Sequence, residues 1–420
     1  FSFNPLYISL DKLKDAGLLG TRELLEQKAL FQERELDTAM ADYEMVRRFK
    51  VPLLRKAYDK FIASLEFDSV TKSSFQAYIK ENSYWLIDYG LFSYLEEVKG
   101  GSWQTWGPLA FNHDQDFLDD LLLEKKYEIE YFFFLQFIYY SQWLELKNHA
   151  NSLGVEIIGD LPIYVAENSC DVWAHRELFN LDKRGYPALL AGVPPDYFSS
   201  TGQLWGNPTY NWEVNEKEEY SWWLQRVALS FRLFDFVRLD HFRGFESYFG
   251  VEAGEATAVN GKWYKGPGMK LFKVLKEELG SLSFLAEDLG YITPEVDNLK
   301  NVLGFPGMEI YQFKKAGAEL SGRVYYSGTH DTDTLAGWLA LGGVSDDGIK
   351  AKVKDIIEEM MASSADLVIF PVQDLLALDS GARINLPGSV GDNWKWRLKA
   401  GELDDQLALW CKEKILAAGR

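Results

Sequence analysis

The pattern of apolar positions changes near Asn151. Before it, Leu13, Leu18, Leu24, Leu25, Leu30 and Phe31 recur at helical spacings, and Met40, Tyr43, Val46 and Phe49 continue the series. Glu33, Arg34, Glu35, Arg47 and Arg48 fill the other faces, and Gly, Pro and β-branched runs are sparse. Helices are therefore predicted over 1–150, including one over Tyr127–Leu146 that is dense in Phe and Tyr. After Asn151, six short apolar runs end in polar residues: Val155–Leu161, Phe234–Asp240, Ser283–Glu287, Met308–Phe313, Arg323–Thr329 and Leu367–Val372. Amphipathic stretches such as Lys270–Leu279 and Ile349–Met361 lie between several of them. Strands alternating with helices imply parallel βαβ units and an α/β class.

A (β/α)8 TIM barrel needs eight strands. With six runs in a chain that opens abruptly on Phe1-Ser-Phe-Asn-Pro, the first two strand–helix units are expected to be absent from these 420 residues. An open or smaller sheet is the alternative. The expected division is a mostly helical insertion subdomain over 1–150, then barrel strands three to eight over 151–420. Residues 165–212, rich in Gly, Pro and aromatics, read as a long active-site loop. Asn260-Gly261 has turn chemistry and predicts a hairpin with Lys262, Trp263 and Tyr264.

Charge narrows the partners. Sixty-three acids against 44 Lys and Arg leave a formal charge of −19, which repels phosphate backbones and anionic membranes, so neither nucleic acid nor membrane is an expected partner. Aromatic residues make up 15% and include 14 Trp; some must sit in the core, but a ring surplus also suits a neutral, flat-faced ligand. Cys170 and Cys411 form no paired spacing and support neither a disulfide framework nor a thiolate zinc site. Phe1–Leu10 lacks a basic region before an apolar one, and the most apolar run, Tyr131–Tyr140, is too short to span a bilayer. A soluble cytoplasmic protein is expected.

Three strand ends carry acids. FDFVRLDHFRGF (234–245) delivers Arg238, Asp240 and His241, with Arg238 and Asp240 two apart and so on one side of an extended chain. An Arg there can orient a carboxylate nucleophile, or the two can be a structural ion pair. FLAEDLGYITPEV (284–296) supplies Glu287 and Asp288. Adjacent residues face opposite ways, so one does chemistry; Glu287 is the chosen proton donor, while Asp288 can cap the next helix or bind a neighbouring loop. YYSGTHDTDTLAGW (325–338) presents His330 and Asp331, with Asp333 as a candidate helix cap. Two His and three acids also permit a divalent metal, but no ligand pair has helical His spacing, and nucleophilic chemistry fits better. No nucleotide-binding glycine motif, zinc-protease motif or nucleophile elbow occurs, so neither metal nor cofactor is expected. Three carboxylates at strand ends, with Tyr197, Phe198 and Trp205 as flat apolar faces, suggest chemistry at a glycosidic bond.

Six ordered blocks resemble the amylomaltase family, the 4-α-glucanotransferases of glycoside hydrolase family 77. They are GDLPIYVAENSCDVWAH (159–175), AGVPPDYFSSTGQLWGNPTYNW (191–212), FDFVRLDHFRGF, FLAEDLG, GTHDTDT and RINLPGSVGDNWKWR (383–397). The resemblance implies a (β/α)8 barrel with helical insertions and a cofactor-free enzyme that moves α-1,4-glucan segments to another glucan or glucose with retention. By motif, Asp240 matches the nucleophile, Glu287 the acid/base and Asp331 the transition-state stabiliser. Arg238 would orient Asp240, and His241 and His330 would bond sugar hydroxyls. Asp160 matches a site-lining acid, and the segment holding Asp196, Tyr197, Gln203 and Trp205, followed by Asn207, matches a loop over the acceptor sites. Maltooligosaccharides are the implied partners, for a monomer or homodimer. Asn168 stands where an Asp is usual and Thr332 where Asn is common. A retaining α-glucan hydrolase and a non-catalytic glucan-binding protein are the other readings of the same residues.

Overall fold

The computed structural model describes residues 1–31, 40–195, 199–314, 317, 319–389 and 391–420. Contacts divide the chain into two compact units. One holds Phe1–Leu36, Tyr43–Val237 and Gly244–Ser283; the other holds Asp37–Asp42, Arg238–Arg243 and Phe284–Arg420.

The first unit begins with helices, as the periodicity predicts. Long ones span Tyr43–Ser64, Ser69–Glu81, Ser83–Lys99 and Lys126–Ser152. Helix Tyr43–Ser64 contains Pro52, whose missing N–H leaves the Arg48 carbonyl without its usual donor. Gln27 Nε2 donates to that carbonyl at 3.0 Å. Rings hold these helices together: Phe61 meets Phe134 at 4.9 Å and Phe75 at 5.2 Å. Trp103, Trp173 and Trp223 are fully buried. Much of the ring surplus therefore packs core, and only part remains for a ligand.

Six strands coincide with the six apolar runs. Among the described residues the strands in chain order are β1 Ile158–Leu161, β2 Leu189–Val193, β3 Gln203–Pro208, β4 Phe236–Leu239, β5 Ser247–Glu252, β6 Lys262–Lys265, β7 Phe284–Ala286, β8 Gly307–Ile310, β9 Arg323–Tyr326 and β10 Leu367–Ile369. In the second unit β8, β9 and β10 form a sheet in the order β10-β9-β8, both pairs parallel. Helix Pro294–Leu303 lies between β7 and β8, and helices Leu335–Leu341 and Asp346–Met361 lie between β9 and β10, giving the alternation expected of α/β units. In the first unit the N–H groups of Asp235 and Phe236 bond the Ile157 carbonyl at the start of β4.

Residues 165–212 differ from the expected single loop. They carry helix Cys170–Ala174 and strands β2 and β3, which join β5 and β6 in an antiparallel sheet ordered β3-β2-β5-β6. The β2–β3 register shifts between Leu190 and Gly192, and a Cβ at Gly192 would lie 2.3 Å from the Gln203 carbonyl oxygen. Glycine is required for that approach. The expected strand after Asn260-Gly261 is β6, paired with β5 through Gly250↔Lys262 and Tyr248↔Tyr264. Asn168 holds this region to the helical part: its Oδ1 accepts from Trp103 N at 3.3 Å and its Nδ2 donates to Glu96 at 3.4 Å. An Asp there would set like charges together, so Asn suits the site.

Candidate active site

β4 ends by presenting Arg238, and the next turn presents Asp240. An Arg238 guanidinium nitrogen lies 3.2 Å from Asp240 Oδ1 and 3.8 Å from Glu287 Oε2. Held by one nitrogen at 3.2 and 3.8 Å, those oxygens are no more than 7.0 Å apart. The Arg238 side chain is 10% exposed and that of Asp240 35%, so the cation is withdrawn while the carboxylate faces outward. His241 has φ 49°, a left-handed turn that aims its N–H back at Glu287 Oε2, 2.5 Å away. The Glu287 peptide is pinned as well: its N–H donates to Leu239 O, and Phe242 N–H donates to its carbonyl, each at 3.1 Å.

Asp288, one residue on, points into the protein. Its Oδ1 accepts from Met308 N at 2.7 Å, Lys300 pairs with Oδ2, and Arg323 lies 3.6 Å from Oδ2. A Cβ at Gly307 would sit 2.4 Å from that carboxylate, so β8 starts on the one residue that leaves room. Asp288 thus binds a neighbouring strand, and Glu287 faces the opposite way.

The third acid follows β9. Asp331 Oδ2 lies 3.3 Å from His330 Nε2, and Oδ1 accepts from Asn385 Nδ2 at 2.6 Å. Arg383 donates to the Asp331 carbonyl at 2.7 Å. Burial alone would raise the Asp331 pKa, but the bonds from His330 and Asn385, with the nearby charge of Arg238, hold it below the ordinary carboxylate value. The same Arg238 therefore touches Asp240 and Glu287 and acts electrostatically on Asp331. Thr332 Oγ1 accepts from Thr329 N at 2.9 Å, which closes the turn that carries Asp331. Thr334, rather than the expected Asp333, caps helix Leu335–Leu341 by accepting from Gly337 N; Asp333 instead accepts from Ser380 Oγ.

Burial lowers the His241 pKa to about 4 against the pull of Asp240, with Arg243 adding to the depression. His241 should stay neutral through the physiological range. Because its folded pKa lies below the ordinary 6.5, the unfolded chain binds the proton more readily, so stability should rise with pH between about 4 and 6.5. With five His in the chain, ring NMR signals assigned by His241→Gln can check this; a midpoint near 6.5 would contradict it.

The remaining expected binding residues belong to the first unit. Asp160 is exposed on β1. Gln203, Trp205 and Asn207 alternate along β3 and so share one face of it. Trp205 Nε1 donates to Gln203 Oε1 at 3.1 Å, and Asn207 Nδ2 donates to Val165 O at 2.8 Å. Asp196, Tyr197 and Phe198 lie outside the described residues. Among the described residues, no group of three or more His, Cys, Asp or Glu is placed to hold a metal ion, and no helix is long and apolar enough to cross a membrane. Sequence reasoning missed Arg383 and Asn385 as partners of Asp331, although both lie in the quoted block 383–397.

Comparison with known proteins decides the family. The sequence profile of glycoside hydrolase family 77, described as 4-alpha-glucanotransferase, matches residues 1–404. The chain belongs to the 4-alpha-glucanotransferase family. Relatives within the family include the 4-alpha-glucanotransferase of Clostridium butyricum, 39% identical over 430 residues covering 97% of this chain and 86% of that protein. That of Aquifex aeolicus is 41% identical over 404 residues, 91% of this chain and 81% of the relative. Among solved structures, the amylomaltase of Streptococcus agalactiae in complex with acarbose superposes with a TM-score of 0.91 at 30% identity, covering all of this chain and 87% of that one.

Proposed function

We propose that this family member transfers α-1,4-glucan segments between chains by a retaining double displacement at Asp240, Glu287 and Asp331. The six strands that match the apolar runs belong to a (β/α)8 barrel, with the site at their C-terminal ends and the helices of 1–150 as an insertion. Glu287 gives a proton to the leaving glycosidic oxygen while Asp240 Oδ attacks the anomeric carbon; that C–O bond breaks as the carboxylate–carbon bond forms. Glu287, now a base, takes the proton of an acceptor 4-hydroxyl, whose oxygen displaces Asp240. Arg238 aligns Asp240 and Glu287. Asp331, held ionised by its neighbours, offers negative charge to the positive transition state and accepts sugar hydroxyls. Neutral His241 bonds further hydroxyls, as does His330, and Asp160, Asp196, Tyr197, Gln203, Trp205 and Asn207 line the acceptor side. Maltooligosaccharides in the cytoplasm are the substrates.

The observation that carries this reading is the single guanidinium within 3.2 and 3.8 Å of two carboxylates, whose charge also acts on the third. Incubation with maltotriose should give glucose and a ladder of longer maltooligosaccharides. Reducing ends that accumulate without a ladder would point to a hydrolase instead.

A further inference from the structure

We propose that Trp394 contacts substrate, its indole forming an apolar wall for the donor glucan on the Asp331 side of the site. This rests on the assignment of His330 and Asp331 to sugar binding and adds a residue to it. The backbone is the first argument. Trp394 has φ 62°, a left-handed conformation that strains a bulky residue and persists only where the surroundings impose it. Here its N–H donates to Ile384 O at 2.7 Å. The next residue, Asn385, donates its N–H to His330 O at 3.0 Å and its side-chain amide to Asp331 at 2.6 Å. One hydrogen-bonded segment thus fixes both the strained indole and the carboxylate.

Exposure is the second argument. Trp394 is 53% exposed, whereas Trp103, Trp173 and Trp223 are fully buried, so core packing does not explain the ring. Its placement is the third. The indole centroid lies 5.0 Å from that of the His330 ring, with the planes 39° apart. A glucose residue presents hydroxyls at its edge and C–H groups on its face. An imidazole for the first beside an indole for the second is the pairing that such a ring calls for.

Trp394→Gly removes the ring and installs the residue that accepts positive φ without strain, so the melting temperature should be unchanged or higher. With maltoheptaose as donor and glucose as acceptor, the KM for maltoheptaose should rise about tenfold, the scale of one well-made ring contact. The glucose KM and kcat should hold nearly constant, and Trp394→Phe should recover most of the loss. In an Asp240→Asn background, calorimetric titration with maltoheptaose should show the same drop in affinity without turnover. A change confined to the glucose KM would overturn the donor assignment. A fall in kcat at unchanged maltoheptaose affinity would make Trp394 a prop for His330 and overturn the contact. Full turnover by Asp240→Asn alone would strike the underlying mechanism instead, and the titration would still judge Trp394.

Discussion

Asp240→Asn should abolish glucan transfer, with a loss on the order of 10⁴-fold or more, as expected when a covalent nucleophile is removed. The substitution keeps size and much of the hydrogen bonding but cannot form the glycosyl ester. Arg238 would still lie against Glu287, 3.8 Å away, and the buried surroundings of β4 would be untouched, so folding should survive. Binding should survive too, because Asp331 and the histidines remain. Donor consumption measured alongside maltoheptaose titration separates the two effects. Retention of a tenth of the turnover would show that Asp240 only holds Arg238, the structural ion-pair reading of the motif.

Asp288→Ala should act in the opposite way, costing stability rather than chemistry. The Asp288 side chain is 2% exposed and Lys300 7%, and Arg323 completes the cluster at 3.6 Å. Removing the carboxylate leaves a buried ammonium without its counter-charge, which typically costs about 3–5 kcal/mol. Met308 N also loses its acceptor, a further penalty for a buried donor. Urea unfolding would read this directly. Pairing Asp288→Ala with Lys300→Met should recover part of the loss, because the uncompensated charge goes with it. A destabilisation below about 1 kcal/mol would mean that the cluster is solvated and does not anchor β7 to β8. Neighbours in sequence, Glu287 and Asp288 thus serve different ends because alternate residues at a strand end face opposite sides.

How far the sequence could be read follows from this physics. Six strands were legible because each is a short apolar run bounded by polar residues, and Lys126–Ser152 because the stretch 127–146 is dense in Phe and Tyr. The antiparallel sheet was only partly legible. β2 reads Leu-Leu-Ala-Gly-Val and β3 Gln-Leu-Trp-Gly-Asn-Pro, so glycines that permit close approach also erase the alternation that marks a strand. Asp240 and Glu287 stood out because each follows its strand at once, and Asp331 because it lies a little beyond the third. Asn385 gave no such signal: it lies 54 residues from Asp331, and only the fold brings its amide to the carboxylate. Asp374 was likewise silent, since a fully buried acid bonded to Ser327 and Leu335 N looks in sequence like any surface acid.

The account turns on a glucan passing through a covalent bond to Asp240. Glu287→Gln removes the acid/base, and a maltosyl fluoride donor carries a leaving group that needs no proton, so the first displacement proceeds while the second stalls. Digestion and mass spectrometry of that variant after exposure to the fluoride should find one maltosyl unit on the peptide that carries Asp240. A sugar attached to a different peptide, or fluoride released steadily with no adduct at all, would contradict it.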